Sequence, residues 1–163
     1  MPKRITPMLA VLMSCTAQAG QFANINAPAD ITFGESSQVV EQQLTNRCET
    51  INRQTISPPQ IPDAKTHTQL DCHGFHYASR SRLAEFVFKD DQLHLSWILV
   101  EASELGQLEQ TMQHTYGEPS HRNPAFTAWT SQRTALRKDV NEVLFYADAA
   151  AEQFAAWFQS AEL

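Results

Sequence analysis

Glycine is scarce here: the 163 residues hold five, scattered along the chain. That argues against a glycine-rich phosphate loop, which needs several backbone N–H groups free of neighbouring Cβ atoms. Basic residues are also few. Twelve Lys and Arg against 18 Asp and Glu leave a net charge of −6, so a phosphate backbone or an anionic membrane surface would be repelled, which argues against nucleic acid as a partner. No apolar run approaches the roughly 20 residues that span a bilayer. A Gly-x-Ser-x-Gly nucleophile elbow is missing as well. These absences leave a small acidic chain with length for one modest core.

An export pattern is present at the N-terminus. Pro2-Lys3-Arg4 is followed by an apolar stretch from Ile5 to Met13, and Ala17-Gln18-Ala19 puts small residues at the two positions a signal peptidase reads. The order predicts a signal peptide over residues 1–19, with cleavage between Ala19 and Gly20, and a periplasmic protein. The same segment has a second reading. Leu12-Met13-Ser14-Cys15 resembles a lipobox, with Met13 an unusual middle residue, in which Cys15 would be lipidated and anchor the chain to a membrane. Both readings place the domain outside the cytoplasm. Loss of Lys3 and Arg4 would take the net charge from −6 to −8.

Cysteine usage agrees with export. Three cysteines are an odd count, but processing at Cys15 or beyond it leaves Cys48 and Cys72 as a pair. An oxidising compartment favours their closure.

Residues 20–32 are polar and read as a flexible lead-in or an added edge strand, followed by a single domain over 33–163. Ser36 or Ser37 can cap a helix with Val40, Leu44 and Cys48 on one face. Arg53 to Thr66, holding Pro58, Pro59 and Pro62, reads as a loop. Three strands are predicted next, over 68–78, 82–88 and 93–100, with Gly74 marking a bulge in the first. Leu93, Leu95, Trp97 and Leu99 alternate as one face of the third. Asp90-Asp91 reads as the hairpin turn before it, since Asp favours turns by bonding local backbone. Ser103 is placed to cap a second helix with Leu105, Leu108, Met112 and Tyr116 inward and Gly117 and Pro119 at its end. Strands are expected over 125–130, 134–137 and 142–147, and a closing helix over 149–161 with Phe154, Trp157 and Phe158 on one side. The fold class is therefore α+β: an antiparallel sheet with helices packed on one face, and an order that suggests a tandem helix–hairpin repeat.

A helix opened by Gly34-Glu35-Ser36, and another closed by Tyr116-Gly117-Glu118-Pro119, each followed by a hairpin, resembles two families. These are the β-lactamase-inhibitory-protein-like domains and the small outer-membrane assembly lipoproteins of the SmpA/OmlA type. Neither half of this chain carries both ends of the pattern. The resemblance implies a two-layer domain that binds other envelope proteins, and it carries over no site residue.

Of the residues that could do chemistry, the histidines come first. His73 and His76 lie near Cys72, with His67 and His94 in neighbouring strands, but positions three apart on a strand point to opposite faces unless Gly74 bulges it. No metal or cofactor is expected on that geometry. Most aromatic residues fall at core periods. Phe75 and Tyr77, out of phase with Leu70, and Trp129 are the candidates for an exposed contact surface. The function expected is a non-catalytic binding or assembly module whose partner is another envelope or secreted protein. An inhibitor or immunity protein against a secreted enzyme is the alternative, and an enzyme with a dispersed site the third reading. The N-terminus of protein recovered from envelope fractions checks the export reading. Intact-mass measurement is expected to give a chain running from Gly20, and a chain starting at acylated Cys15 would overturn that cleavage.

Overall fold

A computed structural model describes residues 22–160. Ala19, Gly20 and Cys15, with the signal peptide they define, lie outside the described residues.

Helix α1 (Ser37–Leu44) begins where Ser36 Oγ accepts the Val39 N–H at 3.4 Å. It buries Val40 and Leu44. Four strands follow as a meander: β1 (Thr50–Thr55), β2 (His67–Tyr77), β3 (Arg80–Lys89) and β4 (Gln92–Leu99). Strand β1 replaces the first three residues of the expected 53–66 loop. It is an edge strand exposed at nearly every position, so no apolar alternation announced it. The turns joining β2 to β3 and β3 to β4 each place two residues at positive φ, Ala78 and Ser79 in one, Asp90 and Asp91 in the other. That geometry matches the right-handed twist of the flanking strands. Asp91 also reaches the start of α1, its Oδ1 accepting from Ser37 N–H at 3.0 Å and Ser37 Oγ at 2.6 Å. Asp90 Oδ1 accepts from Lys65 and Thr66 N–H at 2.7 and 2.9 Å. The Asp pair is thus a turn that pins two other segments.

The second half repeats the order. A 3-10 turn at Ala102–Glu104 leads into α2 (Leu105–Tyr116), and β5 (His121–Arg122), β6 (Phe126–Trp129), β7 (Thr134–Arg137) and β8 (Glu142–Tyr146) follow. The cap expected at Ser103 lies instead at Glu101, which forms a capping box with Glu104, its N–H donating to Glu104 Oε2 at 2.9 Å. Helix α3 (Ala151–Ser160) closes the described chain. All eight strands form one antiparallel sheet in the order β1-β2-β3-β4-β8-β7-β6-β5. The last strand of each half pairs with the other, so each repeat is a helix and a four-stranded meander rather than a helix and a hairpin.

Two of the three helices share a face, as the sequence suggests. Val40 and Leu44 of α1 and Leu108 and Met112 of α2 pack with Leu70, Cys72, Phe86, Leu136 and Val143. The third lies on the opposite face, where Phe154 and Phe158 of α3 pack with Phe126, Ala128, Ala135, Leu144 and Tyr146. The small Ala128 and Ala135 side chains leave room there for the rings. The lead-in is neither flexible nor a strand from Phe22 onward. Ile25 and Ile31 are buried, and Ile25 C=O accepts from Tyr77 Oη and Tyr116 Oη at 2.8 and 2.9 Å.

Two irregularities set which side chains face which layer. At Gly74 (φ +81°) the β2–β3 register slips between His73 and Phe75. A Cβ at this position would lie 2.5 Å from the Glu49 side chain, and L-residues rarely adopt that φ. The bulge returns Phe75 and Tyr77 to the face of Leu70 and Cys72, where both are buried. In β4, Leu93 pairs with Phe88 and Leu95 with Val87, so His94 is an extra residue. Leu93 therefore packs under the α1 face while Leu95 and Trp97 join the opposite one, splitting the single apolar face expected from alternation.

Cys48 and Cys72 are bonded, with Cα atoms 5.3 Å apart. The bridge joins the chain just after α1 to β2 beside the edge strand, and Cys72 is fully buried. Opening it frees a loop of 24 residues in the unfolded chain. Cys48→Ser is expected to lower unfolding free energy by about 2–5 kcal/mol in urea titration. Unchanged stability would mean that the bridge constrains nothing.

Candidate functional site

Strand phase divides the side chains of the first half cleanly. Gln69 and Asp71 of β2, Leu83, Glu85 and Val87 of β3, and Leu95, Trp97 and Leu99 of β4 point away from α1 and α2. Helix α3 packs over the second half of that face and reaches only part of the first. Between α3, the loop at Gln60–Pro62 and the strands lies a groove of about 590 Å³. Val87, Leu95 and Trp97 form its floor, Phe154 and Trp157 one wall, and Ile61 and Pro62 the other. Polar groups converge from His67, Gln69, Glu85, Gln60 and Gln153. An apolar cleft of this size with a few directed polar groups has the make-up of a binding site.

The aromatic wall is tied to a cation. Trp97 meets Phe154 and Trp157 edge-on, with ring centroids 6.4 and 6.3 Å apart. The Arg137 guanidinium carbon lies 5.7 Å from the Trp97 ring centre and 5.3 Å from that of Trp157. Arg137 also pairs with Asp139 at 2.8 Å and Glu142 at 3.4 Å.

His67 is 6 % exposed, and its Nδ1 accepts the Gln60 N–H at 3.3 Å. That bond assigns the ring proton to Nε2, which has no hydrogen-bond partner. Burial holds the imidazole below its ordinary pKa, so it is a neutral donor near neutral pH. His94, also buried, leaves Nε2 without a partner and is likewise shifted down by burial.

Glu85 is half-buried in the middle of the sheet, with Asp71 opposite it on β2 and Trp97 opposite it on β4. Asp71 accepts from the Gln54 and Gln69 amides. Glu85 makes no hydrogen bond or ion pair among the described residues. Burial, then the Asp71 charge, raise its pKa. Glu142 is raised by burial too, against the pull of Arg137, with Glu85 adding repulsion.

The exposed contact surface expected from Phe75, Tyr77 and Trp129 does not exist. All three are buried, the first two because of the Gly74 bulge, and Trp129 Nε1 donates to Gly117 C=O at 2.8 Å. By strand phase the same bulge puts His73 and His76 on one face, yet His73 meets Asn52 (3.3 Å). Among the described residues no three His, Cys, Asp or Glu side chains gather closely enough to hold a metal. The residues that sequence reasoning missed are Glu85, Asp71 and Arg137, and His67 was weighed there only as a metal ligand. One signal pointed to Glu85: a charge in phase with Leu83 and Val87 inside the run Leu83–Phe88.

The fold and this groove define a three-layer α+β protein, with α1 and α2 on one face of the sheet, α3 on part of the other, and a cleft beside α3. A family profile described only as "Uncharacterised protein" matches residues 29–156, and the chain belongs to that family. No curated protein and no solved structure matches it.

Because its folded pKa is raised, Glu85 supports folding fully only below the ordinary glutamate value of 4.5, and that support is lost as pH rises through the folded value. Glu85→Gln is therefore expected to melt above wild type at pH 7, the gap closing below pH 4.5. Thermal melts across that range check it, and a destabilised variant at pH 7 would show that Glu85 has a favourable partner.

Proposed function

We propose that this protein is a non-catalytic binding module of the bacterial envelope that docks a partner protein on the uncovered half of its sheet. One observation carries the reading: Leu83 and Leu99 are only half-buried where no described helix packs on them, next to Trp97 at the edge of α3 and a carboxylate left without a partner among the described residues. A monomer that needed this face only for its own core would cover it or make it uniformly polar. The groove's lining includes no hydroxyl, thiol or amine to act as a nucleophile, and His67 presents a donor rather than a base, which supports binding over catalysis.

The export pattern and the Cys48–Cys72 bridge support a periplasmic or membrane-anchored site of action. The helix-end motifs alone support a kinship with inhibitory and assembly domains. A second reading draws on charge. Asp71, Glu85 and Glu142 make this face acidic, which favours an inhibitor or immunity protein docking on a basic secreted enzyme.

Leu83→Arg tests the docking face, since it places a bulky charge on the open sheet without emptying the core. The wild-type chain is expected to retain a defined protein from an envelope extract, and the variant to lose it while melting as wild type does. Equal retention by both would move the contact elsewhere on the molecule.

A further inference from the structure

Glu85 stands out energetically. A carboxylate withdrawn from water in mid-sheet ordinarily gains a cation or several N–H donors. Here the neighbours are wrong for that: Asp71 opposite on β2 repels it, and so does Glu142, set diagonally across β4 beside Leu99. Arg137, stacked over the neighbouring Trp97 ring, is already engaged by Asp139 and Glu142. By contrast, buried Glu104 is satisfied by Arg82 at 2.7 and 3.1 Å and by Arg80 at 2.9 Å. The buried Glu104 is thus fully paired while half-buried Glu85 is left open, beside an aromatic ring.

Trp97 shows what that ring accepts. It already carries one guanidinium, that of Arg137, so its indole is a working platform for a flat cation. Glu85 lies directly opposite Trp97 in the β3–β4 register. A second, independent group lines the same groove: His67, more than nine-tenths buried, with an Nε2–H donor that meets no acceptor. Asp71 and Glu85 would repel an anionic acceptor, so the group that pairs with His67 is a neutral carbonyl. A cation on a long apolar stem at Glu85 and a neutral carbonyl at His67, two points of one groove four positions apart along β2 and β3, describe an extended basic peptide.

We propose that Glu85 and Trp97 receive the side chain of an arginine or lysine of the docked protein, while His67 Nε2 donates to a backbone carbonyl of the same segment. This inference rests on the docking reading and names the chemistry that the partner brings. The occupant is a basic protein segment, because the acidic strip Asp71–Glu85–Glu142 complements it in charge and the groove's apolar floor takes the methylene stem of the side chain.

The probes are N-acetyl-arginine N-methylamide, its citrulline counterpart and guanidinium ion, titrated into the full oxidised chain and read by tryptophan fluorescence and amide NMR shifts. The blocked arginine is expected to bind saturably, shifting the signals of Glu85, Trp97 and His67, and the neutral citrulline probe to bind far more weakly. Glu85→Gln is expected to weaken the arginine probe by about tenfold or more, the usual loss when a charged hydrogen-bond partner is removed. His67→Phe is expected to weaken it a few-fold while leaving guanidinium ion unaffected. Equal binding of the arginine and citrulline probes, or an unchanged Kd in Glu85→Gln, would overturn the cation site. Guanidinium ion binding as tightly as the blocked arginine would overturn the carbonyl contact to His67. If Leu83→Arg abolishes capture of a partner while Glu85→Gln leaves both capture and probe binding intact, docking stands and this assignment falls. If the probe binds as expected but no protein is captured through this face, the cation site stands and the docking reading falls.

Discussion

The pairing of β4 with β8 is the constraint on which the rest of the molecule depends. Leu95 to Leu99 lie opposite Tyr146 to Glu142 in an unbroken antiparallel register. Each is the final strand of its half, so the two meanders join at a seam and run outward in mirror order to β1 and β5. Because both halves connect helix to sheet in the same sense, α1 and α2 are carried to the same face. The seam also closes two potentially adhesive edges, leaving only a short strand and a polar strand at the borders. The buried Arg82–Glu104 pair fastens the start of α2 to the β2–β3 hairpin, so the halves are locked in polar as well as apolar terms.

The opposite face follows from that arrangement. Among the described residues only α3 covers it, and α3 is tethered directly to β8 through a 3-10 turn at Asp148–Ala150. Ten residues of helix span about 15 Å, short of the width of eight strands spaced near 4.8 Å. The uncovered part therefore falls on the first half, and the loop at Gln60–Pro62 turns its border into a groove. The two register slips aim the chemistry. Gly74 withdraws Phe75 and Tyr77 into the helical layer, and the extra residue His94 sends Leu95 and Trp97 out to the groove floor.

Stability and function separate along the same line. Asp90, Asp91 and Glu104 have their pKa values lowered by the donors they hold, and they pin turns and helix starts. Glu85 and Glu142, on the open face, are pushed the other way by burial, helped by the Asp71 charge at Glu85 and the Glu85 charge at Glu142. Acidic groups that cost folding free energy at neutral pH are concentrated on one surface, while those that support folding are spread through the frame.

Much of the frame was legible in the residues themselves. Helices announced by Ser36 and ended by Gly117, strands with alternating or continuous apolar runs, the Asp90-Asp91 turn, the Gly74 bulge and the cysteine pair all rest on local rules: capping, φ preference and side-chain period act over a few residues. The polar edge strand at Thr50–Thr55 escaped because an exposed strand has no buried face to leave a period. Where Trp97 points, which face α3 covers, that Phe75, Tyr77 and Trp129 are core, and that Glu85 stands opposite Asp71 could not be read that way. Each depends on register, and a slip of one residue at Gly74 or His94 turns every later side chain to the other face. Local sequence determined the elements; only the long-range pairing of strands decided which of their side chains meet.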